Sequence, residues 1–147
     1  MSQVQFVIPG TPKGKGRPRF RNAGTFVQTY TPKDTANYEN LVRIMYDAKC
    51  KNVMLEGAIR AEIVGYFPIP SSTSKKRQKM MEDGEIKYTK KIDCDNLAKI
   101  ILDSLNKIAF ADDAQVCELV VQKRYSSQPR VAVRLTELDD EKTLTRT

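Results

Sequence analysis

Four aspartates bracket one predicted helix: Asp93 and Asp95 at its start, Asp112 and Asp113 just past its far end. Asp93-Cys94-Asp95 sets two carboxylates two residues apart, and in an extended segment both would project to the same side. Carboxylate oxygens suit magnesium, which keeps several of its waters and so needs few protein ligands. Such an ion can activate water and offset charge on the departing oxygen of a phosphodiester. Lys99 lies one turn after Asp95, away from the predicted core, where its ammonium can steady an attacking water or the developing charge. The same residues have a plainer reading. Asp before an apolar run is a common N-cap, Asp112-Asp113 suits a turn, and Lys99 can be an i+4 partner of Asp95. Spacing alone leaves both readings open.

The chain holds no histidine. That excludes Ser-His-Asp hydrolysis, HNH-type nuclease chemistry and the zinc-peptidase motifs. Any hydrolysis must rely on carboxylates, a lysine or a hard metal ion. Cys50, Cys94 and Cys117 are scattered without zinc-site spacing and read as free, partly buried thiols. A formal charge of +7 suits a polyanionic partner. The charge is concentrated in residues 10–33, where Lys13, Lys15, Arg17, Arg19, Arg21 and Lys33 occur with no acid among them. From Lys13 to Arg21 the bases fall at every second position, so an extended chain would line them up for phosphates. Phe20, Phe26 and Tyr30 in this loop are expected on the core rather than stacked on bases. Lys75, Lys76 and Arg77 form a second basic group, softened by Glu82, Asp83 and Glu85. This footprint favours a nuclease, or a non-catalytic DNA-binding module, over a phosphatase acting on small substrates.

The elements that must position these residues follow from periodicity. Residues 4–8 alternate as a strand, and 10–33 form a loop. A helix is expected from Thr31-Pro32, with Thr31 as N-cap and Pro32 in the first turn, to about Lys51-Asn52. Residues 57–67 read as a strand stopped by Pro68 and Pro70. Residues 71–91 read as a mobile polar lobe with a short helix within 71–81. Residues 95–110 make the clearest helix, with Leu97, Ile100, Ile101, Leu105 and Ile108 on one arc and Lys99, Asp103 and Asn106 opposite. Residues 116–124 and 130–136 read as a hairpin about a turn at 126–129. The order β-α-β-(α)-α-β-β predicts an α+β fold, a small mixed sheet with helices packed on it. One domain is expected over residues 1–136, with a frayed tail at 137–147. No segment reads as a membrane span or signal peptide, so a cytoplasmic protein is expected. The central helix spans roughly 20 Å, so Asp113 can join Asp93 only if the chain folds back after it.

The run Asp93-Cys94-Asp95-Asn96-Leu97-Ala98-Lys99, then Asp103 and Leu105, then Phe110-Ala111-Asp112-Asp113-Ala114-Gln115-Val116 resembles the RusA family of Holliday-junction resolvases. That family's pattern is D-x-D-N-L-x-K, a helix, then a D-D-x-x-V turn. The resemblance covers about the C-terminal two-thirds of the chain. It implies a RusA-like fold and a homodimeric endonuclease that nicks opposed strands of four-way DNA junctions symmetrically with Mg2+, for which Mn2+ can substitute. It implies Asp93, Asp95 and Asp113 as catalytic acids and metal ligands, Lys99 assisting, and Asp112 as a further ligand or support. Lys123 falls where the family places a basic residue and is added to the expected DNA contacts. A phage or prophage origin is compatible. The segments 71–91 and 10–33 are longer than the family's, so its cut-site preference is not carried over.

Overall fold

The computed structural model describes residues 2–16, 19–23, 26–30 and 33–139, with the backbone alone for 19–23 and 26–30. Strand β1 (Gln3–Pro9) is followed by a hairpin of β2 (Arg19–Ala23) and β3 (Phe26–Tyr30), then helix α1 (Lys33–Cys50) and strand β4 (Ile59–Pro68). Helices α2 (Lys75–Glu82) and α3 (Cys94–Leu105), a 3-10 turn (Asp113–Gln115) and strands β5 (Val116–Ser126) and β6 (Arg130–Glu137) complete the chain. The mixed α+β architecture is the expected one. The β2–β3 hairpin was not expected; it stands apart as a two-stranded sheet inside the segment read as a loop. The Thr31-Pro32 start of α1 lies outside the described residues, as do residues 140–147 of the tail. Glu137 and Leu138 are tied down, since Glu137 accepts from the Ser2 and Glu56 amides and Leu138 donates to the Ala58 carbonyl.

The main sheet runs β1-β6-β4-β5. β6 is antiparallel to β1 and to β4, while β4 and β5 are parallel. The expected hairpin of the last two strands is therefore wrong. They are joined by the turn at 127–129, but β4 lies between them. The reason is burial. One face of β4, from Ile59 through Ala61, Ile63 and Gly65 to Phe67, is wholly buried. A strand like that gains most in the centre of the sheet, with partners on both edges. β5 mixes apolar and charged residues and exposes Leu119 and Val120, as an edge strand does.

α1 and α3 cover one face of the sheet. Tyr38, Val42, Tyr46 and Cys50 from α1 meet Leu97, Ile100, Ile101 and Leu105 from α3 over Phe6, Ile8, Val131 and Val133. α3 lies close because Gly65 has no side chain: a Cβ there would stand 2.8 Å from Leu97 Cδ2. α3 ends at Leu105, short of the expected Phe110. Asn106 leaves helical geometry and Lys107 takes a φ of 67°, which turns the chain back before Phe110 enters the core.

The segment 71–91, expected to be mobile, is fastened at several points. Ser74 caps α2, and Met81 is buried. The Glu82 carboxylate accepts from the amide and hydroxyl of Ser127. Tyr88 stacks on Phe67 at 3.9 Å between ring centres and meets Tyr125 edge-on.

The core assignment predicts a sharp contrast. Ile101 has 0% of its surface exposed, so Ile101→Ala should cost about 2–5 kcal/mol of unfolding free energy. Leu119 is 48% exposed, and Leu119→Ala should change stability by less than about 0.5 kcal/mol. Urea unfolding midpoints with unchanged slopes would check both.

Candidate functional site

Asp93 and Asp95 reach one surface by a route different from an extended segment. Asp93 is the N-cap of α3, with φ −74° and ψ 164°, and its Oδ1 accepts from the Asn96 amide at 2.8 Å. Asp95 sits in the first helical turn, where the helix dipole favours negative charge. The cap reading of Asp93 is thus realised, but a carboxylate has about four lone-pair sites, and one cap bond does not exhaust it. Lys99 and Asp103 follow Asp95 at i+4 and i+8 on the polar side of α3.

These residues share a hollow of about 600 Å³ lined by Lys15, Gly16, Asp93, Asp95, Asn96, Lys99 and Asp103. A larger hollow of about 690 Å³, lined by apolar residues including Val7, Met45, Val64 and Ala132, lies elsewhere. Its acid, Glu62, is engaged by two guanidinium nitrogens of Arg134, Nε and Nη2, at 2.7 and 2.8 Å. The acids therefore mark the smaller hollow as the chemical one.

The chain does fold back after α3. The Asn106 side-chain oxygen accepts the Asp113 amide at 3.0 Å, which ties the aspartate turn to the helix end. Asp112 caps that turn, accepting from the Ala114 amide, while Gln115 returns a bond to the Asp112 amide. This capping box realises the turn reading of Asp112, whose carboxyl is held below its ordinary range chiefly by the Ala114 N–H. Asp113 is held above its ordinary range, first by partial burial, then by the hydrogen-bonded Asp112 and by the charge of Asp103; Lys99 opposes the shift. Asp113 does not line the hollow with Asp93 and Asp95. Among the described residues no three carboxylate or thiol side chains converge on one point that could hold a metal ion.

Lys15 does not present its ammonium outward. It contacts Asp103 Oδ2 at 2.8 Å and Glu39 Oε2 at 2.9 Å. Burial disfavours its charge, but the two carboxylates outweigh that and hold its pKa above the ordinary value. Sequence reading missed Glu39. Its signal was its position, on the arc of α1 that buries Thr35, Tyr38, Val42 and Tyr46, where a carboxylate needs a partner.

The other expected DNA contacts divide. Lys13, Lys75, Lys76 and Arg77 are exposed. Lys123 is half-buried; its ammonium donates to the Lys90 carbonyl at 2.8 Å and lies over the Tyr88 ring. Arg17 and the side chains of Arg19, Arg21, Phe20, Phe26 and Tyr30 lie outside the described residues. Cys50 is buried, Cys94 half-buried and Cys117 exposed, all free. Among the described residues no helix is long and apolar enough to cross a membrane.

The chain is 31% identical over 140 residues to the uncharacterized protein YqaN of Bacillus subtilis strain 168, covering 94% of this chain and 99% of that one. The family model for endodeoxyribonuclease RusA matches residues 9–136, a span that holds Lys15, both aspartate pairs and the whole of α3. The chain belongs to the RusA family of endodeoxyribonucleases.

Proposed function

We infer that this protein is a Mg2+-dependent, structure-selective endodeoxyribonuclease that resolves four-way DNA junctions by paired symmetric nicks. It acts in the cytoplasm as a homodimer, in DNA recombination and repair. The observation that carries this reading is the family match over residues 9–136, combined with Asp93, Asp95 and Lys99 in one open hollow. A junction bound by two copies of one chain has two equivalent hollows, which suits symmetric nicking.

The donor set fits a hard cation. Asp93, Asp95 and Asp113 offer only oxygen, and magnesium is commonly held by one or two carboxylates plus waters and substrate phosphates. Asp93 and Asp95, which line the hollow, would hold it, joined by Asp113 with Asp112 as support from the turn after α3. Bound there, Mg2+ or Mn2+ would supply an activated water and offset charge on the departing oxygen. Water adds across a P–O bond, leaving one phosphate end and one hydroxyl end. Lys99 lies between the Asp95 and Asp103 positions on α3 and orients toward the scissile phosphate, where its charge offsets the growing negative charge. Lys13, Lys75, Lys76 and Arg77, all exposed, bind the flanking phosphates.

A second reading, a junction-binding module without catalysis, has one observation in its favour. Asp93 and Asp112 serve as caps, and no three acids converge among the described residues.

A synthetic four-way junction separates the two. The protein should cut it in Mg2+ and only bind it in chelator; binding without cutting in Mg2+ would sink the nuclease reading, and equal cutting of linear duplex would sink junction selectivity. Asp93→Asn and Asp113→Asn should each abolish cutting and leave junction affinity near wild type, because the phosphate contacts lie elsewhere. Cleavage surviving in both would remove them from the mechanism. Lys99→Ala should slow single-turnover cutting by about a hundredfold, the scale of losing one charge-stabilising donor. Light scattering should give twice the mass of the chain, and a monomer at working concentration would contradict the dimer.

A further inference from the structure

Residues 14–16 cross the protein between its two sheet-covering helices, and every residue of this strap is held. The Lys15 amide donates to Asn96 Oδ1 at 2.7 Å, and the Lys15 ammonium reaches Asp103 on α3 and Glu39 on α1. The Gly16 amide donates to Thr35 Oγ1 at 2.9 Å. Gly14 sits so close to α3 that a Cβ would stand 2.5 Å from Asn96 Nδ2 and 2.9 Å from Ile92. Two of these partners, Asn96 and Asp103, line the hollow that holds Asp93, Asp95 and Lys99.

Glu39 explains why the strap is fixed there. Its side chain is 12% exposed, and a carboxylate taken out of water needs a paired charge. Lys15 supplies that charge and, with the same ammonium, takes Asp103. The β2–β3 hairpin begins three residues after Gly16 and carries Arg19 and Arg21 in its first strand.

We propose that Lys15 is a positioning residue: it clamps the strap across α1 and α3 and thereby anchors the chain three residues before the basic β2–β3 hairpin begins. Asn96 is the second half of the clamp, reading the strap backbone rather than substrate. Lys15 therefore does not bind phosphate, although its neighbour Lys13 does. The clamp stands on the contacts above; its effect on cutting rests on the nuclease reading.

Hydrogen exchange by mass spectrometry tests the clamp without any activity. Lys15→Met should raise exchange over residues 10–30, Glu39→Gln less so, and the double variant no more than Lys15→Met alone. Lys15→Arg should keep protection, since a guanidinium can bridge two carboxylates. If Lys15→Met does not fold, Gly14→Ala provides an independent route, because its methyl group must push the strap off Asn96. Unchanged exchange in Lys15→Met, or in Gly14→Ala where that variant stands in, would overturn the clamp. On a junction, Lys15→Met should slow single-turnover cutting about tenfold to a hundredfold, the scale of a misplaced contact. Its salt dependence of binding should stay that of wild type, whereas Lys13→Met should flatten it. A slope flattened equally by both would make Lys15 a phosphate contact and refute the proposal. Raised exchange in a protein that never cuts a junction would sink the nuclease reading and leave the clamp standing.

Discussion

Helix α3 has only one rotation available to it. Leu97, Ile100, Ile101 and Leu105 are wholly buried against the sheet and α1, and the missing side chain of Gly65 draws the helix onto β4. Turning α3 by one residue, about 100°, would carry Lys99 or Asp103 into that core. A charge buried there without a partner costs several kcal/mol, more than any polar contact on the outer side could return. The apolar arc therefore dictates where Asp95, Lys99 and Asp103 face, and the chemistry of the protein inherits its geometry from packing.

The ends of α3 are placed by neighbours rather than by the helix. At its start, Tyr88 is held between Phe67 and Tyr125, its hydroxyl donates to the Lys91 carbonyl, and Lys123 holds the Lys90 carbonyl. The segment leading into Asp93 is thereby fastened to β4 and β5. At its far end, Asn106 stops the helix and receives the Asp113 amide. Asp93 and Asp112 thus have a local backbone duty besides their charge, and the two roles are compatible because capping uses one oxygen of the carboxylate.

Charge compensation links the two helices. The polar stripe of α3 and the buried Glu39 of α1 would leave a concentration of negative charge between them, and Lys15 neutralises part of it from a third segment. Among the described residues, Asp93 and Asp95 line the same hollow as Asp103 and make no salt bridge.

Much of this was legible in the residues themselves. The 3.6-residue arc of α3, the two-residue alternation of β4 and the acid-lysine spacing are local patterns, and the RusA family pattern is carried by those same local residues. Three things were not legible. The last two strands read as a hairpin because a short turn joins them, but β4 enters between them through pairings distant in sequence. Lys15 read as one more base in an alternating row, because nothing local reveals that Glu39, on another helix, needs its charge. The fold-back after α3 could be required but not drawn; it is made by the Asn106 side chain, which accepts the Asp113 amide. The sequence by itself determined which residues could do chemistry and which helix face must be buried, because those follow from side-chain type and local period. Only the tertiary structure decided which charges are spent on one another and which are not, because compensation depends on distances between segments far apart in the chain.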